Sequence, residues 1–164
     1  MIRRAVESDL SSIMAVYRAA RAFMAENGNA SQWGDSYPDE ELLRYDIEAK
    51  RLYVFDENGA VHGAFALCDG PEPAYAVIEN GSWQSDTPYA VIHRLAGDGT
   101  VNGLFARCAA FSAERCPHLR ADTHENNRVM QHLLEKNGFS RRGIVYDAEI
   151  DATRIAYDRV IPQA

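Results

Sequence analysis

One short stretch limits what this chain can fold into. YAVIHRLAGDGTVNGLF, residues 89–105, changes its period part-way. Tyr89 to Leu95 is an apolar, β-rich run of strand length. Gly97, Gly99 and Gly103 then interrupt it. From Gly103 to Glu114, Leu104, Phe105, Cys108 and Phe111 recur at helical steps. A strand that passes through a glycine turn into a helix presents the first, unpartnered N–H groups of that helix at the turn. Those donors and the positive end of the helix dipole suit an anion such as a phosphate, and glycine at 103 lets a ligand approach the backbone closely. The spacing matches neither G-x-G-x-x-G after an early strand nor a loop ending in Gly-Lys-Ser/Thr. On glycine spacing alone, a tight strand-to-helix turn without a ligand is an equal reading.

The rest of the chain supplies a sheet for that unit. Met1–Val6 reads as a strand, and Ser8 as the cap of a helix carrying Leu10, Ile13, Met14, Tyr17, Ala20 and Met24 on one face, closed by Asn27-Gly28. Asp39, Glu40 and Glu41 suit the first turn of a second helix, and Lys50 and Arg51 its last. Leu52–Phe55 and the run through Val61, Gly63, Phe65 and Leu67, expected on one face, flank an Asn58-Gly59 hairpin turn. A long irregular stretch, 69–88, precedes Tyr89 and is of a length that tends to be functional or mobile. Leu119–Thr123, a helix over Asn127–Lys136 closed by Asn137-Gly138, and the strands Phe139–Tyr146 and Thr153–Val160 follow. The order β-α-α-β-β-β-α-β-α-β-β predicts a mixed α/β sheet with helices on both faces, in one domain over residues 1–164. A chain of this size buries about 70% of its unfolded surface without a metal or disulfide staple.

Composition narrows the partners. The net charge of −7 argues against nucleic acid and anionic membranes, and is compatible with a cationic small substrate. The three cysteines, Cys68, Cys108 and Cys116, form neither a Cys-x-x-Cys nor a zinc spacing, so reduced thiols and no metal are expected. No apolar run approaches the ~20 residues of a membrane span, and MIRRAVESDL lacks an apolar signal core; both lead to the expectation of a cytoplasmic protein.

The element order and several local words resemble the GNAT superfamily of N-acetyltransferases. Thr100-Val101-Asn102-Gly103-Leu104-Phe105 aligns with the turn patterned Gln/Arg-x-x-Gly-x-Gly/Ala, with Thr100 and Phe105 departing from it and Gly103 kept. RADTHENNRVMQHLLEKNGF, residues 120–139, looks like the family's strand-then-helix segment ending in Gly-Phe, and IRRAVESDLSSIMAVY like its opening. QW…YP at 32–38, Trp83 and PYAVIHRLA at 88–96 are similar to an uncharacterised bacterial branch, which also has a bulky residue at the position of Phe105. The resemblance implies a twisted mixed sheet of about seven strands and acetyl-CoA as co-substrate. It also implies transfer of an acetyl group to a primary amine of a small molecule or peptide, and a possible homodimer. Leu95, Ala96 and the turn Thr100–Phe105 would hold the cofactor, and Asn127 falls on the family's asparagine that contacts the pantetheine arm.

The family reaction needs a base, a carbonyl-polarising donor and an acid. Strand alternation puts Tyr89, Val91, His93 and Leu95 on one face. No carboxylate stands near Tyr89, where the family's base projects. His93 is the candidate base, since an imidazole ordinarily titrates near about 6.5; a hydrogen-bonded core histidine is the equal alternative. Glu79 is a weaker candidate, and Asp122 reads as a capping or orienting group. The family's tyrosine acid is replaced by Leu134. Tyr146 or a water would have to substitute, with a plain sheet tyrosine the simpler reading of Tyr146. Gln32, Trp33, Tyr37 and Trp83 are expected to form the substrate pocket, with a cation–π site for an ammonium among them, or else to cover the core. Arg94 is expected on the face opposite His93, paired with an acid. Asn126 reads as a helix cap and His132 as part of a solvated face. Two rival readings stay open: a non-catalytic acyl-CoA-binding or regulatory module, which Leu134 favours, and an interaction protein that keeps only the fold.

Overall fold

The structure, a computed structural model, describes residues 1–162. Seven strands form one mixed sheet: β1 (Ile2–Arg4), β2 (Leu52–Glu57), β3 (Ala60–Asp69), β4 (Ala90–Gly97), β5 (His118–Thr123), β6 (Ser140–Asp147) and β7 (Ala152–Val160). Their order across the sheet is β1-β2-β3-β4-β5-β7-β6. All pairings are antiparallel except β4 with β5. Four helices cover the sheet: α1 (Leu10–Glu26), α2 (Glu40–Glu48), α3 (Leu104–Ala113) and α4 (Arg128–Lys136). The expected order of elements is the observed one.

Each face has its own core. Ile13, Val16 and Tyr17 of α1 and Leu43 of α2 pack with Val54, Ala64 and Ala66 on one side. Phe105, Cys108 and Ala109 of α3 and Leu134 of α4 pack with Phe55, Phe65, Ile92 and Tyr157 on the other. The stretch 70–88 is not a free loop. It contains a short 3-10 turn at Pro73–Tyr75, bridges β6 through Glu79 and Ile144, and lays Tyr75 and Trp83 over Val91, Val145 and Ala156. The part of that sheet face left uncovered by α1 and α2 is closed by this strap.

Local chemistry explains most boundaries. The Asn58-Gly59 turn has both residues at positive φ, 57° and 88°, the conformation a two-residue hairpin requires. Asp39 caps α2 by accepting from the Leu42 amide. Three expectations fail at helix ends. A 3-10 turn at Glu7–Asp9 precedes α1, whose N-terminal flanking residue is Asp9 rather than Ser8. Lys50 and Arg51 lie beyond α2, not in its last turn. The cap of α4 is Asn127, not Asn126.

Two bulges overturn the face assignments. Phe55 pairs with Gly63 while Asp56 pairs with Val61, so His62 is an extra residue on β3. Val61 therefore joins the α1 side, away from Phe65. On β4, Ala96 pairs with Ala64 and His93 with Ala66, which leaves one residue too many between them. The extra residue sits at Arg94, whose φ is 53°. Leu95 consequently packs on the α3 side and not with His93. The Arg94 side chain reaches Asp46 of α2, on the side where His93 also lies, not the opposite one.

Candidate active site

The two parallel strands at the centre of the sheet pair only briefly. β4 and β5 are in register at Ala90–Leu119 and Val91–Arg120, and then they separate. Beyond that point a cleft of about 1390 Å³ opens, lined by both strands, the start of α3 and the start of α4. The bulge holds β4 in this diverging path. Its carbonyl at Arg94 accepts from the hydroxyl of the fully buried Tyr17 at 2.7 Å, so α1 pins the strand where it departs from its neighbour.

The glycine turn forms one end of the cleft. Gly103 precedes α3 with φ 64°, and a Cβ built there would meet nothing within 4 Å. The approach to the first amides of α3 is open. Phe105 does not obstruct it: its ring is buried, edge-on to Phe139 at 5.8 Å, so only its backbone faces the turn. Upstream, the Thr100 amide donates to Asp98 at 2.9 Å, and His62 meets the same carboxylate at 2.7 Å. Burial works to raise the Asp98 carboxyl, but His62 and the Thr100 contacts together hold it below its ordinary range. Leu95, Ala96, Val101, Gly103, Leu104 and Phe105 line the cleft, whereas Thr100 and Asn102 sit exposed on the outer side of the turn. The donor set of this turn, backbone amides at a helix start with no side chain over them, fits a pyrophosphate.

His93 faces the cleft further along β4. Its Nε2 lies 3.4 Å from a carboxylate oxygen of Glu72, and both side chains are about a quarter exposed, 23% and 29%. The hydrogen bond from His93 holds the Glu72 carboxyl below its usual range against the opposing effect of burial. Across the opening, Asp122 of β5 accepts from the hydroxyl of Tyr75 at 2.6 Å. Burial, reinforced by Asp122, pushes that phenol well above its ordinary value. Glu72 and Tyr75 belong to one turn of the strap, so a single short segment fixes a group on each of the diverging strands. Glu72 escapes sequence reading because nothing in GPEPAY marks which acid of the strap will reach β4. Glu79 does not line the cleft; its backbone is paired with Ile144.

The other expected residues divide. Asn127 caps α4 with Oδ1, accepting from Met130, and donates through Nδ2 to Gln32 at 3.0 Å. A candidate cofactor residue and a candidate substrate residue thus meet across the cleft. Trp33 stands edge-on to Tyr17 at 5.8 Å and Tyr37 beside it, and both line the cleft. Trp83 does not. It lies in the strap, donates to the Tyr75 carbonyl at 3.2 Å, and has Arg120 over its ring at 4.0 Å, so its cation is an internal one. Tyr146 is half-exposed at the rim, and its hydroxyl donates to Asp151, which raises its pKa and makes it a poorer acid. Leu134 is fully buried beneath the cleft. Among the described residues no three His, Cys, Asp or Glu side chains cluster as a metal site would need, and no helix is long and apolar enough to cross a membrane.

No family model matches the sequence. An uncharacterised protein of Methanocaldococcus jannaschii is 31% identical over 101 residues, which are 60% of this chain and 49% of that protein. The chain thus spans about half the length of the curated relative it matches. Among solved structures, a GNAT-family acetyltransferase from Streptococcus agalactiae 2603 is 32% identical with a TM-score of 0.89, over 99% of this chain and 96% of that one. One from Listeria monocytogenes 4b F2365 shares the fold at 19% identity and a TM-score of 0.72, over 98% and 94% of the two chains. A structure from Salmonella typhimurium, solved with its cofactor acetyl-CoA, shares the fold at 17% identity and a TM-score of 0.64, over 100% of this chain and 95% of that one. The Streptococcus structure is matched nearly end to end above 30% identity, and on that ground the chain belongs to the GNAT family of acetyltransferases.

Proposed function

We propose that this protein is an acetyl-CoA-dependent N-acetyltransferase that acts on a primary amine. One observation carries the reading: a single cleft joins an anion-binding helix start at Gly103 to a histidine–carboxylate pair at His93 and Glu72. The Salmonella neighbour, solved with acetyl-CoA, lends the cofactor to this reading.

Acetyl-CoA supplies the acetyl group as a thioester, already activated toward an amine. The amides that open α3 would hold the pyrophosphate, and Leu95, Ala96 and Asn127 would hold the pantetheine arm. Glu72 orients the His93 ring through Nε2, and His93 takes the proton as the amine nitrogen forms its bond to the acetyl carbon. The backbone of the pinned bulge offers an N–H to the carbonyl oxygen as negative charge develops on it. When the carbon–sulfur bond breaks, water returns a proton to the departing sulfur. α4 offers no acid, because Leu134 stands buried where a tyrosine would serve. That same leucine favours the second reading, a protein that binds acyl-CoA without turning it over.

Thermal unfolding with and without acetyl-CoA tests the binding half. At a hundred times its dissociation constant the ligand adds about 2.7 kcal/mol, which raises Tm by roughly 5–10 °C in a domain of this size. Release of free thiol with an amine panel tests the transfer. An unchanged Tm at millimolar acetyl-CoA removes the proposal. A shift without thiol release selects the non-catalytic reading.

A further inference from the structure

The acceptor side of the cleft carries two arginines on one buried carboxylate. Asp46 of α2 is fully buried and holds two guanidiniums at once. One carboxylate oxygen takes Arg51 Nε at 2.6 Å, and the other takes Arg94 Nη2. Both arginines line the cleft. Arg94 is nearly buried, with its side chain 10% exposed, and its Nε has no hydrogen-bond partner. Arg51 gives Asp46 only its Nε; among the described residues its terminal nitrogens bond to nothing. Asp46 thus accepts from both guanidiniums; Arg51 also lies over the Tyr45 ring at 4.7 Å and acts on Glu72, and its terminal nitrogens are the donors left over beside the cleft. Guanidinium donors without a hydrogen-bond partner beside a cleft suit a ligand carboxylate, whose two oxygens match their planar fork.

A carboxylate carried by the acceptor fits those free donors. β3 joins the two halves of the site: its Leu67 amide donates to the Arg51 carbonyl at 2.9 Å and its Ala66 pairs with His93. The guanidinium pair and the His93–Glu72 pair are therefore neighbours, one with free donors and the other with a carboxylate that an ammonium can approach. A plain amine would satisfy only Glu72. We infer that the acceptor is a zwitterionic amine of amino-acid type, its ammonium beside Glu72 and its carboxylate on Arg51 and Arg94. The inference rests on the acetyl-transfer reading for the reaction, but the binding preference can be measured on its own. The backbone supports a built site: Arg94 is held at φ 53°, with its carbonyl fixed by Tyr17 and its side chain by Asp46. A side chain kept in that sparsely populated region is held there by its surroundings and points to function.

The test uses matched acceptors with one side chain: a free L-amino acid, its primary amide and the decarboxylated amine. Binding to CoA-saturated protein is measured by calorimetry, and acetyl transfer by thiol release, for wild type, Arg51→Gln and Arg51→Lys. The free acid is expected to bind at least about tenfold more tightly than its amide, the effect of a charge-assisted contact. Arg51→Gln is expected to bring acid and amide within about threefold, Arg51→Lys to restore part of the gap, and CoA affinity to stay unchanged in both. An amide or plain amine bound as well as the acid overturns the inference, even if transfer is robust. Tighter binding of acids without any thiol release upholds it while removing the transferase reading. Arg51→Gln that leaves the acid preference intact also overturns it.

Discussion

Replacing Gly103 by glutamate separates the two jobs of the glycine turn. Gly103 sits at φ 64°, and the space around its missing Cβ is empty for 4 Å. No side chain there clashes with the protein, so the cost to folding is conformational alone, about 1–2 kcal/mol for an L-residue in the left-handed region. That lowers Tm by roughly 3–6 °C. Gly103→Ala incurs the same cost and adds only an uncharged methyl to the approach. Gly103→Glu adds a carboxylate to the open approach. About 5 Å from a doubly charged pyrophosphate, in the high effective dielectric of a surface site, the repulsion is about 2 kcal/mol, close to thirtyfold in affinity. Calorimetric titration with CoA at low salt should show Gly103→Ala within about threefold of wild type and Gly103→Glu weakened by that larger factor. Raising salt to about 0.5 M should narrow the difference, since exposed charges are screened. If the two variants bind alike, the anion is not at this turn and the cofactor assignment fails.

Three other outcomes follow from named contacts. His93→Ala should lower turnover by about a hundredfold or more while changing acetyl-CoA affinity little, the usual size of a general-base contribution; initial rates beside a binding titration separate the two. Tyr17→Phe removes the donor to the Arg94 carbonyl, leaves a buried acceptor unsatisfied, and should cost about 1–3 kcal/mol in urea unfolding with turnover reduced, as the bulge loses its pin. Asp9, gripped by Arg3 at 2.8 and 2.9 Å, has its carboxyl held below the ordinary range by that contact. A depressed carboxyl stabilises above its unfolded pKa and loses that contribution as pH falls through its folded value. Asp9→Asn should therefore be less stable by about 1–2 kcal/mol at pH 7, and the gap to wild type should close below about pH 4 in a pH series of melts.

Much of the fold was legible because period and punctuation agree along the chain. The hairpin at Asn58-Gly59, the helix stops at Gly28 and Gly138, and the helix opening at Gly103 are each a backbone demand that only a few residues meet. The errors share one cause. A bulge inserts a residue without changing composition, so alternation counted through His62 or Arg94 assigns Val61, Leu95 and Arg94 to the wrong side. At the site, His93 and Asn127 could be found because they stand on regular elements. Glu72 could not, because its position depends on how the strap crosses the sheet. Trp83 misled for a related reason: an aromatic in a long loop suggests a ligand, but the cation over it is the protein's own Arg120. Phe105 departs from the pattern as a letter, but the helix turns its ring toward Phe139.

The most direct test is a crystal structure of the protein grown with acetyl-CoA. The account predicts the pyrophosphate on the amides after Gly103, the pantetheine arm between the separated ends of β4 and β5, and the acetyl group beside His93. A ligand bound outside that cleft, or lying in it with the acetyl group away from His93, would contradict it.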